Sequence, residues 1–175
     1  MFVPDEIYGT ILSWYKTIFS IKDLILLRKV NMFFRDTIDK ILRTIELLDD
    51  DTMKIVGDNE LLWFPNLKML DLHRNTRITD QSIKKLSLHT LDLCFNKNIT
   101  DDGIKHLKLH TLGLWNNSLI TDEGIIGMQL RVLNLGRNNL ITNDAINDMP
   151  LSELDLRRND IITQNDRFCD IKILK

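Results

Sequence analysis

The sequence predicts an α/β solenoid, with parallel strands on one face and short helices on the convex face, preceded by an all-α unit of three helices. Three observations predict it. The leucine pair Leu70 and Leu72 returns as Leu91 and Leu93, Leu112 and Leu114, Leu133 and Leu135, and Leu154 and Leu156, a constant step of 21 residues. Asparagine keeps that step at 75, 96, 117, 138 and 159, as do isoleucine from Ile78 to Ile162 and threonine from Thr79 to Thr163. Residues 1–48 show no such period and instead place apolar side chains at helical spacing.

In the first predicted helix Ile7, Ile11, Trp14 or Tyr15, and Ile18 share a face, with Pro4, Asp5 and Glu6 where a helix start tolerates proline and favours acids. "SIKD" (20–23) has the form of a capping box ahead of the apolar run Leu24, Leu26, Leu27 and Val30. The third helix carries Phe34, Ile38, Leu42 and Ile45 and ends before "DDD" (49–51), because acids are unfavourable at a helix C-terminus. A joining segment follows, so the expected units are 1–48, 49–65 and 66–175.

Each repeat reads as one turn of the solenoid. In Leu88, Leu91 and Leu93 the alternation has the period of a strand whose inward side chains stack on the next copy. The asparagine ends the strand, and the column Asn75 to Asn159 reads as a hydrogen-bond ladder between copies. Threonine before acids, as in "TDD" (100–102) and "TDE" (121–123), is a helix N-cap followed by charge that suits the first turn. The helix it opens buries Ile83, Ile104, Ile125 and Ile146 behind a small residue: Ser82, Gly103, Gly124 or Ala145. In the fifth copy these two slots hold Arg167 and Asp166, and "IKILK" (171–175) reads as a protected edge strand. A period of about 20 to 29 residues carrying LxxLxLxxN is the leucine-rich-repeat signature; no single copy buries its leucines alone, so the copies stack.

Composition and charge narrow the function. A net charge of −2 exerts no long-range pull on nucleic acid or membrane, so neither is an expected partner. Cys94 and Cys169 form no disulfide framework, and Asp5 and Glu6 stand where a secretory signal would be basic. "LILL" (24–27) is too short to span a bilayer. The expectation is a cytoplasmic or nuclear protein, monomeric apart from its complexes. His89 and His110 hold equivalent slots without a third ligand at metal spacing, Cys94 lacks a histidine and acid set, and no glycine-rich phosphate loop occurs. No catalytic residue, metal or cofactor is therefore expected, and the chain is read as a non-enzyme.

The copies differ where they look outward. Side chains between and after the inward leucines form columns, among them His73, Cys94, Trp115, Gly136 and Arg157, then Arg74, Phe95, Asn116, Arg137 and Arg158. Tryptophan, other aromatics and arginine dominate binding hot spots. His73, Arg74, Phe95, Trp115, Arg137, Arg157 and Arg158 are therefore the candidate partner-binding residues. The alternative is structural: aromatics that shield turns, and arginines that balance Asp71, Asp92 and Asp155.

Residues 2–40 add a resemblance. "VPDEIYGTILSW" followed by "KDLILLRKVNMFFRDTID" resembles an F-box, and "ITDDGIKHL" and "ITDEGIIGM" resemble the leucine-rich repeats found after F-boxes. The chain departs from that family at Val3, at Asn31 to Phe34, in about one extra helical turn, and in its asparagine column. The resemblance implies an F-box-like three-helix unit that docks a Skp-type adaptor of a cullin-RING ubiquitin ligase, with the repeats selecting a protein or peptide substrate. It implies that Pro4, Ile7, Ile11, Leu12, Leu24, Leu27, Val30 and Phe34 include the adaptor contacts. The competing expectation is a stand-alone repeat scaffold whose N-terminal helices only cap the solenoid.

Overall fold

The computed structural model of the protein describes residues 20–30, 38, 39, 53, 55–163 and 168–175, and of residues 27, 29 and 30 the backbone alone. The first expected helix and most of the third lie outside them, with Pro4, Ile7, Ile11, Leu12 and Phe34. Helix α1 (Ile21–Val30) starts at the expected capping box: the Asp23 N–H donates to Ser20 Oγ (3.2 Å) and the Ser20 N–H to Asp23 Oδ2 (3.0 Å). Leu24 and Ile25 are buried in the core with Ile38, while Leu26 is exposed.

The joining segment contains a helix that periodicity did not indicate, α2 (Asp58–Leu61). Behind it Leu61, Phe64 and Leu67 are fully buried in the same core as Leu24 and the repeat leucines. The Arg28 guanidinium ties α1 to this region. It pairs with Asp39 and stands 3.8 Å over the Trp63 ring.

Six strands of three residues follow: β1 (Met69–Asp71), β2 (Thr90–Asp92), β3 (Thr111–Gly113), β4 (Val132–Asn134), β5 (Glu153–Asp155) and β6 (Lys172–Leu174). They form one parallel sheet in chain order, in the register Leu70, Leu91, Leu112, Leu133, Leu154 and Ile173. Between the first five strands run α3 (Asp80–Ile83), α4 (Asp101–Ile104), α5 (Asp122–Ile125) and α6 (Asn143–Ile146), so each of the first four rungs is one strand, one turn and one helix. Both leucine columns and the isoleucine columns are buried between sheet and helices. Each such side chain contributes about 1.5–3 kcal/mol. Burial therefore drives stacking, and directional bonds select the register.

Two ladders supply those bonds. In the first, the Asn96 amide donates to the carbonyls of Leu72 (2.9 Å) and Asn75 (3.2 Å), while its oxygen accepts the N–H groups of Asn98 and Ile99. Asn117, Asn138 and Asn159 repeat the donation to the preceding rung. The second ladder corrects the capping expectation. Thr79, Thr100, Thr121 and Thr142 stand at the N-cap positions, but only Thr79 and Thr121 accept a capping N–H. Every one of these hydroxyls donates to a carboxylate one rung back: Thr79 to Asp58, Thr100 to Asp80, Thr121 to Asp101 and Thr142 to Asp122, at 2.6–2.7 Å. Each threonine N–H joins the other oxygen of that carboxylate. At the next rung the single amide oxygen of Asn143 accepts both the Thr163 hydroxyl and its N–H, and the Asn143 amide donates back to the Thr163 carbonyl (2.7 Å).

This ladder explains the small slot. A Cβ on Gly103 or Gly124 would collide with the Asp80 or Asp101 carboxylate, whereas Ser82 fits because its hydroxyl donates to Asp58 (2.6 Å). Burial alone would raise the Asp58 carboxyl, but the bonds from Ser82 and Thr79 outweigh it and hold its pKa below the usual value. At the far end β6 pairs with β5 as expected, and Phe168 is buried against the core. The Asp166 and Arg167 slots lie outside the described residues.

Candidate protein-binding face

After each strand the chain turns sharply toward the asparagine. Leu72 to Asn75 is closed by the Asn75 N–H on the Leu72 carbonyl (2.9 Å), and the turn recurs on every rung through Asn159. The third turn residue has positive φ each time: Arg74 (54°), Phe95 (55°), Asn116 (49°), Arg137 (51°) and Arg158 (57°). Turns favour glycine or asparagine there, because a Cβ in the left-handed region costs about 1–2 kcal/mol. Only Asn116 meets that preference. Four of the seven candidate residues thus stand on strained backbone, which the sequence could not reveal because no glycine marks the position.

The face divides into two side-chain groups. At the β1 end the Phe95 ring lies 5.3 Å from the His73 ring, and the Arg74 guanidinium stands 4.9 Å over it. Beside them is a recess of about 450 Å³ lined by Met53, Asp71, His73, Arg74, Thr76 and Arg77. Toward β5, the Trp115 ring covers Gly136 on the next rung, so closely that any Cβ at 136 would collide with it. The Arg157 guanidinium, one rung further, is 5.2 Å from the same ring.

Phe95 and Trp115 were expected in exposed slots; both are half-buried, because each is packed by neighbours along the sheet. Cys94, in an outward column, is buried. Burial and a hydrogen bond to Asp92 push its thiol up to about 12, so it is a proton-bearing packing group. Asp155 is buried too. Desolvation would raise its carboxyl, but the Arg157 guanidinium, bonded to it at 2.6 Å, and the Arg157 N–H outweigh that and lower it. The same contact raises the Arg157 pKa.

The polar side chains in the outward column at the strand ends are engaged by backbone. Asp71, Asp92, Asn134 and Asp155 each accept the backbone N–H two residues on, which rigidifies the strand ends. Arg137 and Arg158 are exposed on adjacent rungs, and neither has an ion pair among the described residues. The seven candidates therefore form the His73, Arg74 and Phe95 cluster, the Trp115 and Arg157 pair, and two free guanidiniums. Of the expected adaptor contacts, Leu24 is buried and the side chains of Leu27 and Val30 are outside the description. Among the described residues no group of three or more histidines, cysteines or acids could hold a metal ion, and no helix is long and apolar enough to cross a membrane.

Comparison with known families agrees with the architecture. The Leucine Rich repeat family model matches residues 85–108, which run from the end of α3 to the approach to β3, and no F-box family match is found. No curated protein matches the chain. A leucine-rich repeat suggests a protein–protein interaction role, and stacked repeats commonly use the strand side for it.

Proposed function

We propose that this chain is a protein-recognition subunit that binds its partner along the strand face, through His73, Arg74, Phe95, Trp115, Arg137, Arg157 and Arg158. One observation carries the reading. Left-handed turn positions that glycine would fill without strain hold Arg74, Phe95, Arg137 and Arg158, and strain of this kind concentrates at functional sites. Six strands at about 4.8 Å, each three residues long at about 3.3 Å per residue, make a strip of roughly 24 by 10 Å, well short of the roughly 800 Å² per partner of a standard interface. The partner is accordingly a peptide or a loop.

The finer reading is a substrate-recognition subunit of an SCF-type cullin-RING ubiquitin ligase, at work in the cytoplasm or nucleus. Its support is the resemblance of residues 2–40 to an F-box, with Pro4, Ile7, Ile11, Leu12, Leu27, Val30 and Phe34 toward a Skp-type adaptor. In the second reading the chain is a stand-alone scaffold and the N-terminal helices only cap it. The burial of Leu24 and Ile25 in the solenoid core and the Arg28 contact with Trp63 favour that reading.

Co-expression with a Skp-type adaptor separates the two. Co-purification that is lost in a Pro4→Ala/Ile7→Asp double variant, folded by circular dichroism, supports the ligase reading. A monodisperse wild type that ignores the adaptor overturns it and leaves the scaffold, whose strand face is tested separately by Trp115→Ala and Arg137→Ala.

A further inference from the structure

We propose that the edge where the helices end and the strands begin is a second binding surface, and that it takes an acidic segment of a partner protein. The proposal uses none of the strand-face residues and does not rest on their role. Between helix and strand, "KKLSLH" (84–89), "KHLKLH" (105–110) and "IGMQLR" (126–131) run along this edge. In each, the third and fifth residues are buried and the other four are exposed. The three segments hold no acid, and the surface ends at the next one, "NDMPLS" (147–152), which brings in Asp148.

Their last residues, preceded by Lys68, form a column across four rungs. The His89 N–H donates to the Lys68 carbonyl (2.8 Å), His110 to His89 (2.8 Å) and Arg131 to His110 (2.9 Å). The imidazoles of His89 and His110 are stacked, with centroids 5.3 Å apart and planes 7° apart. Lys68 and Arg131 end this column, and the two histidines lie between them. Asp102 pairs with Lys105, but Lys68, Lys84, Lys85, Lys108 and Arg131 have no ion-pair partner among the described residues.

Helix polarity does not account for the pattern. It favours cations after a helix, as at Lys84 and Lys105, yet the same place after α5 holds Ile126 and after α6 Asn147. The opposite edge carries the ladder carboxylates of Asp58, Asp80, Asp101 and Asp122. A net charge near zero therefore conceals two edges of opposite sign.

The chemistry of the edge selects the partner. Four rungs span only about 14 Å; the three segments have no aromatic side chain on which a base could stack, and on the Lys68 rung the Trp63 ring is covered by the Arg28 guanidinium. Ile126 is 65% exposed at the position that Lys105 fills one rung earlier. It offers an apolar contact that a phosphate backbone does not use and an acidic peptide with one aliphatic residue does.

The test is fluorescence anisotropy of a labelled Glu-rich peptide bearing one leucine, titrated with the full chain. The expected result is binding that weakens with salt and falls about tenfold or more in Lys85→Glu/Lys108→Glu/Arg131→Glu. All three positions are exposed, where substitutions commonly shift stability by only about 0.5 kcal/mol, and circular dichroism with the unfolding midpoint checks that the variant is folded. Lys85→Gln/Lys108→Gln should show a smaller loss of the same sign, Ile126→Ser a further loss, and Trp115→Ala none. The proposal is overturned if the peptide does not bind at low salt or binds the triple variant equally. It is also overturned if a labelled RNA oligonucleotide or phosphatidylserine vesicles bind this edge more tightly than the peptide.

Discussion

The Trp115 ring occupies the space that a side chain at Gly136 would need, so one residue's absence of a Cβ sets the other's position on the strand face. Gly136→Ala should displace the indole. Overpacking of this kind commonly costs about 1–3 kcal/mol. The expected outcome is a lower urea midpoint together with a shift of the Trp115 indole resonance that leaves those of Trp14 and Trp63 in place. An unchanged indole resonance would mean that the ring has room to spare.

Asn138 is fully buried, donates to the carbonyls of Leu114 and Asn117, and accepts from the N–H groups of Leu140 and Ile141. Asn138→Ala strands several of these groups, at about 1–3 kcal/mol for each that stays dry. A loss of about 3 kcal/mol or more by equilibrium unfolding is expected. Asn159→Ala, at a half-buried rung, should lose less.

Arg137 sits at φ 51° with no ion pair among the described residues. Arg137→Gly relieves about 1–2 kcal/mol of backbone strain against about 0.5–1 kcal/mol of added chain entropy. Its unfolding midpoint should hold or rise slightly while partner affinity falls. A fall in stability with unchanged affinity would assign Arg137 a purely structural part.

Cys94 is buried and its thiol is pushed up to about 12, while Cys169 is exposed. At pH 8 iodoacetamide should modify Cys169 alone, with Cys94 reacting only after denaturant is added, as read by intact mass. The sign of the linkage follows: above about pH 9 the unfolded thiol ionises and the folded one does not, so stability falls with rising pH. Cys94→Ala should flatten that part of the profile.

Asp58 has a lowered pKa and anchors Thr79 and the buried Ser82 hydroxyl. Its contribution is present above the unfolded carboxyl value, near pH 4, and is lost as pH falls through the lower folded value. Asp58→Ala should therefore be destabilised at pH 7, by about 1–3 kcal/mol through loss of the carboxylate's bonds from Thr79 and Ser82, the Ser82 hydroxyl keeping only the Thr79 carbonyl (3.3 Å). The gap from wild type should narrow below pH 4.

The solenoid was legible because stacking demands the same residue in the same slot: the leucine, isoleucine and asparagine columns state their partners by their period alone. The threonine and aspartate ladder was present in the same lattice but hidden by a second meaning, since an acid after an N-cap threonine already has a local explanation. Helix α2 escaped because Asp58 stands 22 rather than 21 residues before Asp80 and no leucine pair precedes it. The outward columns were legible as columns. The packing of Trp115 over Gly136 and the positive φ under Arg74, Phe95, Arg137 and Arg158 were not, because rotamers and turn strain leave no period. Gly136, alone without a side chain in its column, was the one visible hint.

The ladders also bear on how long such an array can be. Each rung offers the next the same carbonyls and, at the helix start, a like oxygen acceptor to those it took from the one before, down to Asn143 standing in for an aspartate. A 21-residue segment spliced in between two rungs would meet familiar partners on both sides and require no new type of bond. Copy number is thus a quantity that internal bonding leaves open, and duplication or loss of a rung would change which outward residues stand side by side while the scaffold beneath them stayed the same.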